Sequence, residues 1–478
     1  MPILSMHSRN NNTQSLDWVS IVLYLLLVGF GWVNIYAANT EADSPVFWIA
    51  NKEYVKQLIW IGFSFMTIGI LLLIDSKFYV EFAYPSYILG VILLLAVIFV
   101  GVEVNGAKSW FQLGAIRFQP VELTKVATAL TLARVLSRFQ FSFTSWQDLL
   151  LLGTVWLLPV IIIVLQNDLG SGLVFFAFLL PFFREGMSPY VLVFGVLAAL
   201  IFVLTLLIPN YSILLLLAGA FFSILLFHKY RKETLMALAV ASGVYGLMAL
   251  VMQARGGDIN HDMALLSGMG LASLGLGFKA LLRRLPTVGI YILLFWASVG
   301  FAYSADYFYE NMLGEYQRSR ILVLLNLKDD PQGAGYNVNQ SKIAIGSGGF
   351  SGKGYLQGTQ TKFNFVPEQS TDFIFCTVGE EWGFLGTTAV VLLFVFLLMR
   401  LTYLAERQHS AFSRIYGYGV AAIFFFHVAV NIGMTIGLAP VIGIPLPFFS
   451  YGGSSLWGFS ILLFIFLKLD TNRGQVLR

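Results

Sequence analysis

The sequence of 478 residues is 58% hydrophobic and only 11% charged, with a mean hydropathy of +0.78. That is too little polar surface to coat a soluble globule of this size, so the expected fold class is an all-α polytopic integral membrane protein. A net charge of +4 spread over short loops offers no basic face for nucleic acid, and the single cysteine, Cys376, excludes an intramolecular disulfide or a cysteine metal cluster.

In chain order, apolar stretches of spanning length lie near 18–37, 55–74, 86–101, 120–137, 147–165, 169–183, 188–208, 211–228, 234–253, 263–279, 286–305, 384–400, 416–438 and 455–469, about fourteen with twelve as the lower count. The weakest are 120–137, 169–183 and the Gly-rich 263–279. The N-terminal residues lack an apolar core of signal-peptide type, so the first stretch is expected to remain as a span. If the N-terminus is cytoplasmic, the basic positions Lys77, Arg138, Arg184, 228–233, 279–284, 407–414 and 468–473 all fall on the cytoplasmic side. The longest hydrophilic loop, 306–383, then faces outward together with 102–119, 166–170 and 439–454.

The first group on that outer face is "NGAKSWFQLGAIRFQPVELTK" (105–125), where Lys108 and Arg117 can meet an anion. Glu122 and Lys125 share one helix face at i, i+3, and charges inside an apolar helix are costly unless they pair or line a polar cavity. Asp168 in "LQNDLGS" is a similar acid between two spans, with capping of the following helix as the equal alternative. The five histidines, His427 among them, show no ligand spacing. No cofactor is implied by motif.

The loop 306–383 is rich in Gly, Gln and Asn but also in Ile, Phe and Tyr, as expected of short helices lying over a cavity. Its run GSGGFSGKG (346–354) lacks the GxxxxGK[ST] pattern and reads first as a close-packing element or hinge, second as a phosphate contact. In "VPEQSTDFIFCTVGEEWGFLG" (366–386), Pro367 can start a helix and Ser370 or Thr371 can cap one, which would place Asp372 in its first turn. An unbroken helix from 372 to 400 would be about 43 Å long, more than the hydrocarbon core of roughly 30 Å, so Asp372 would project above it. The apolar neighbours Phe373, Ile374 and Phe375 would raise its pKa toward that of a general base. Glu368 is a plausible neighbour, whereas Glu380 and Glu381 read as structural. "PVIGIPLPFFSYGGSS" (440–455) reads as a broken element lining a cavity.

Taken together, "GAKSWFQLGAIRFQPVELTK", "LQNDLG", "YQRSRI", "GAGYNVNQSKIAIGSGGFSGKG", "GTQTKFNFVPEQSTDFIFCTVGEEWGFLG" and "GLAPVIGIPLPFFSYGGSS" resemble, in order, the SEDS family (shape, elongation, division and sporulation), the integral-membrane peptidoglycan glycosyltransferases. "KFNFVPEQSTDFIF" is nearer the RodA branch, which serves elongation and rod shape, than the FtsW division branch. The resemblance implies a ten-span core with 188–284 as inserted helices, lipid II as substrate, and a place in the bacterial cytoplasmic membrane with the site outside. It places the family's essential aspartate on Asp372 and its other important charges on Glu122, Lys125 and Asp168. Val121 stands where the family has Ser, and Asn167 where it has Pro; neither departure removes a charge.

The chemistry implied is attack of a sugar hydroxyl on a lipid-diphosphate-linked strand, with Asp372 as base and lipid diphosphate as leaving group. Lys108, Arg117, Arg318, Arg320, Lys353 and Lys362, with Glu368 near the sugar and a divalent cation (Mg or Mn) as an option, would neutralise or hold the substrate. Implied partners are a class B penicillin-binding transpeptidase and other elongation-complex membrane proteins. The alternatives are a lipid II flippase, since buried charges also mark translocation paths, and a silent scaffold.

Overall fold

The computed structural model describes residues 15–39, 52–104, 106–114, 116–228, 230–311, 318, 322, 325, 334–363 and 365–474. In chain order they form α1 (Trp18–Asn39), α2 (Glu53–Leu73), α3 (Ser76–Glu81), α4 (Ala83–Val100), strands β1 (Val102–Val104), β2 (Ala107–Leu113) and β3 (Ile116–Phe118), α5 (Pro120–Leu136), α6 (Trp146–Leu165), α7 (Leu169–Val174) and, after a 3-10 turn, α8 (Leu179–Arg184). There follow α9 (Pro189–Leu207), α10 (Asn210–Phe227), α11 (Arg231–Ala254), α12 (His261–Leu282), α13 (Pro286–Asn311), α14 (Ala334–Ser347), α15 (Thr359–Lys362), α16 (Ile374–Glu406), α17 (Ala411–Thr435) and α18 (Gly453–Thr471).

Twelve of the described helices are long and apolar enough to cross a membrane. The other two expected stretches fall short for visible reasons. Residues 120–137 become the 17-residue α5, interrupted by Glu122, Thr124, Lys125, Thr128 and Thr131. Residues 169–183 become two six-residue helices joined by a 3-10 turn. The Gly-rich 263–279 stretch, in contrast, lies in a full 22-residue helix. Residues 102–118 add a small antiparallel sheet of order β1-β2-β3 that the helical reading did not anticipate.

The chain divides into two compact units, Met1–Met187 with Asp329–Arg478, and Ser188–Lys328. In the first unit α18 is the central helix. It packs on α2, α5 and α17, and its Leu462, Leu463, Phe466 and Leu467 are fully buried, as expected of a helix that is apolar on all sides. At one end of this unit lie the ion pairs Asp17–Arg400, Arg184–Glu406, Arg414–Glu185 and Arg407–Asp470. At the opposite end lie the β-strands, the start of α7 and the loops before α16 and α18.

The unbroken helix expected from 372 does not form. Residues 366–373 are turns, α16 starts at Ile374 without a side-chain cap, and Gly383 (φ 62°, ψ −155°) breaks it. The cause is the glycine run. Phe384 and Leu385 donate their amides to Gly349 and Phe350 carbonyls (2.9 and 3.2 Å), while Lys353 and Gly354 donate to the Glu380 and Glu381 carbonyls (both 3.0 Å). A Cβ on Gly348 would stand 1.9 Å from the Gly379 carbonyl oxygen, so only backbone fits there. Two of the run's amides are thus spent on packing against α16. Beyond the break, 384–406 covers about 34 Å at 1.5 Å per residue, a membrane thickness.

The second unit is the bundle α9–α13. Its main core joins Leu214, Phe221 and Leu225 of α10 to Ala237, Met269, Leu276 and Phe295. Glu233 pairs with Lys279 and Arg283 (3.3 and 3.2 Å), and Asn210 donates to Asp306 (3.0 Å).

Candidate functional site

Asp372 is half-buried, and a Cβ on Gly443 would lie 3.3 Å from its Oδ2, so the backbone of the 440–449 loop passes directly beside the carboxylate. Three prolines keep that loop from forming a helix, and its carbonyls need donors from elsewhere. Asn431 of α17, fully buried, supplies one: its Nδ2 donates to the Ile444 carbonyl and to the Asp372 carbonyl, both at 2.8 Å. His427, one helical turn away, supplies another through Nδ1 to the Pro445 carbonyl at 3.0 Å. A carbonyl only accepts, so Nδ1 carries the proton and Nε2 presents a lone pair.

Lys125 donates to that Nε2 at 3.1 Å and to Glu122 at 3.0 Å, and its ammonium lies 4.9 Å from the Phe459 ring centre. Glu122, Lys125 and His427 are all nearly solvent-free. This satisfies the requirement that buried charges pair. Asp168 caps α7, accepting from the Ser171 amide and hydroxyl (3.1 and 2.9 Å), and also receives Gln119 Nε2 at 3.1 Å. The capping reading of Asp168 is what these bonds show, and the cap also ties α7 to the start of α5. The next residue but one, Gly170, presses against the same loop, because a Cβ there would lie 2.3 Å from the Ile442 carbonyl oxygen. The loop is thus a hub: Asp372 on Gly443, α7 on Ile442, and the Glu122–Lys125 pair reaching Pro445 through His427.

The FTSW_RODA_SPOVE model, described as "cell cycle protein", matches residues 17–214 and 263–475. The chain belongs to the FtsW/RodA/SpoVE family. Among its relatives is the peptidoglycan glycosyltransferase RodA of Treponema pallidum, 30% identical over 97% of this chain and 100% of that protein. Another is the peptidoglycan glycosyltransferase MrdB of Escherichia coli K12, 30% identical over 90% of each chain. A chain from a solved peptidoglycan synthase complex that coordinates polymerization and crosslinking superposes with a TM-score of 0.62 at 26% identity, covering 96% of this chain and 99% of that one.

The remaining charges expected at the site of this FtsW/RodA/SpoVE member are placed variously. Lys108 on β2 stands opposite Glu103, and exposed Arg117 on β3 stands opposite Gln112. Arg117 and Glu53 both act on the Tyr451 phenol, which burial pushes up to about 12, with Glu53 raising and Arg117 lowering it. Lys353 is bound by Glu380 at 2.6 Å, and Lys362 donates to the Leu356 carbonyl at 3.1 Å, so both serve the loop's own structure. Glu368, at φ 55°, receives the Thr371 hydroxyl at 2.8 Å and shapes the turn before Asp372. Arg318 lies in the second unit, bonded to the Glu310 carbonyl and over the Tyr309 ring; Arg320 lies outside the described residues.

Sequence reasoning missed His427, Asn431 and Glu53, whose carboxylate receives the Ser370 hydroxyl. The available signal for the first two was their i, i+4 spacing on an otherwise apolar helix, a polar face pointing to one destination.

Proposed function

We infer that the chain is a peptidoglycan glycosyltransferase of the elongation type that polymerises lipid II. In this reading the 4-hydroxyl of a lipid II N-acetylglucosamine attacks C1 of the muramyl end of a lipid-diphosphate-linked strand. The new glycosidic C–O bond forms as the C1–O bond to diphosphate breaks, Asp372 takes the hydroxyl proton, and the diphosphate leaves with its lipid. The observation that carries the assignment of Asp372 is its position: a half-buried carboxylate beside the broken 440–449 loop, at the end of the first unit opposite the basic ion pairs. By the positive-inside rule those pairs belong at the cytoplasmic end, which supports an outward-facing Asp372. Nucleotide-activated sugars are not present there, so a substrate carrying its own diphosphate fits.

Lys108 and Arg117 are the cations we assign to the departing diphosphate. A divalent cation (Mg or Mn) held by that diphosphate is a further counter-charge we propose. Among the described residues no group of three or more His, Cys, Asp or Glu stands together to hold one. The partner we propose is a class B penicillin-binding transpeptidase, which would crosslink the strand; the solved complex this chain resembles couples the same two activities.

The test is purified protein with labelled lipid II. Asp372→Asn should lower polymer formation by about 10²-fold or more with thermal stability preserved. An active Asp372→Asn variant removes Asp372 from the base role, and lipid movement between leaflets without polymer would favour a flippase.

A further inference from the structure

Two polar side chains of α17 have no part in the chemistry above, yet both are committed to holding it in place. Asn431 is fully buried, and its single NH2 group bridges the carbonyl of Asp372 to the carbonyl of Ile444, at 2.8 Å each. The backbone of the residue bearing the base role and the loop facing it are thereby clasped by one amide. One turn earlier, His427 bridges the Pro445 carbonyl at 3.0 Å and the Lys125 ammonium at 3.1 Å, with 1% of its surface exposed. The Phe459 ring stands edge-on to the imidazole at 4.8 Å and restricts its tilt.

These contacts form one continuous chain: Glu122, Lys125, His427, the Pro445 carbonyl, the adjoining Ile444 carbonyl, Asn431 and Asp372. Glu122 and Lys125 are buried, and this run of bonds links them to the residue that bears the base role. We propose that His427 and Asn431 are positioning residues that fix the 440–449 loop against Asp372 and connect the Glu122–Lys125 pair to it. The inference rests on the base role of Asp372 for its kinetic consequence but not for its structural one.

Two other acids of this end of the unit are committed elsewhere. Asp168 meets Gln119 and Ser171, while Glu380 is occupied by Lys353 and the amides of α15. A loop displaced by a fraction of an ångström would leave lipid II binding through the hairpin cations intact while misaligning the base.

The test uses the full chain in nanodiscs with three variants. His427→Phe and Asn431→Leu keep an apolar shape and remove the bridges, whereas His427→Asn places an amide N–H near the Nδ1 position and restores only the bond to Pro445. We expect the first two to lower kcat by about 10–100-fold with KM for lipid II within about twofold. They should also raise hydrogen exchange at 441–444 and 372–373 while leaving α5 and α18 protected, and His427→Asn should recover part of both. Wild-type kcat in His427→Phe and Asn431→Leu, loss of kcat with loop protection unchanged, or exchange raised equally throughout the first unit would each overturn the proposal. If His427→Phe is not recoverable, Asn431→Leu and His427→Asn decide it by the same exchange pattern. Absence of polymer from the wild-type protein would refute the glycosyltransferase reading instead, and the exchange pattern would still decide this one.

Discussion

Removing the Glu380 carboxylate should free the loop that precedes Asp372. Its oxygens receive Lys353 Nζ at 2.6 Å, the amides of Thr359, Gln360 and Thr361 at 2.8, 2.8 and 2.9 Å, and the Thr361 hydroxyl at 2.9 Å. In Glu380→Ala these donors lose one fully buried acceptor. Breaking a buried pair costs about 3–5 kcal/mol, and because the Lys353 side chain keeps 27% of its surface exposed the lower end applies. About 3 kcal/mol is roughly a 150-fold rise in the locally open population. Trypsin cutting after Lys353 and Lys362 in the purified protein reads that population directly when reclosing outpaces cleavage. We expect cleavage to accelerate by about 10²-fold, with Glu380→Gln in between because its amide oxygen still accepts. A cleavage rate within about threefold of wild type for Glu380→Ala would show that these bonds do not hold the segment.

Glycine substitutions should separate packing from conformation. Gly348→Ala, whose Cβ would meet the Gly379 oxygen at 1.9 Å, and Gly383→Ala, at φ 62° with a Cβ 2.3 Å from the Gly352 nitrogen, should each destabilise by about 1–3 kcal/mol or more. Gly275→Ala, in open space on α12, should stabilise slightly. Thermal exposure of the single buried thiol, Cys376, to a fluorogenic maleimide measures the first two, and hydrogen exchange along α12 measures the third. Lys125→Met strands Glu122 in the core and should cost about 3–5 kcal/mol, whereas Glu122→Leu with Lys125→Met should regain most of the Tm without regaining polymerisation. At the opposite end, burial raises the Asp17 carboxyl, but its bonds to Arg400 and Ser20 outweigh that and hold it below the ordinary range. Its stabilisation is therefore complete above the unfolded pKa and lost as pH falls through the lower folded value. Asp17→Asn should flatten the acid limb of the Tm profile below about pH 4, and an unchanged limb would remove Asp17 from the account.

The spans were legible because hydrocarbon demands long apolar runs, and two of the three weak stretches were weak for cause, while the Gly-rich 263–279 forms a full helix. Residues 120–137 and 169–183 carry the polar and helix-breaking residues that shorten them. The Glu122–Lys125 pair was legible from its i, i+3 spacing. What the sequence hid was competition for backbone. Nothing local says that Gly349 and Phe350 will take the amides of Phe384 and Leu385, yet that contact breaks α16 at Gly383 and separates the Glu380 region from the membrane-length segment. The same competition reaches Lys353 and Lys362, which look like free cations in sequence and bond Glu380 and the Leu356 carbonyl in the fold.

The position of His427 and Asn431 follows from a requirement that can be stated without any comparison. A segment with three prolines in eight residues, 440–447, cannot satisfy its own carbonyls by helical hydrogen bonds. Within a membrane protein those carbonyls must find donors on neighbouring elements. The 440–449 loop is entered from α17 and left into α18. The helix that comes before is therefore the nearest source, and side chains one turn apart on a single face reach successive residues of the loop. Asn431 meets Ile444 and His427 meets Pro445, as that geometry demands. A polar pair at i, i+4 in the last turns of an apolar helix that leads into a proline-rich segment can thus be read as a set of donors for that segment. Their second bonds, Asn431 to Asp372 and His427 to Lys125, make the satisfaction of a broken backbone and the placement of the candidate base one structural device.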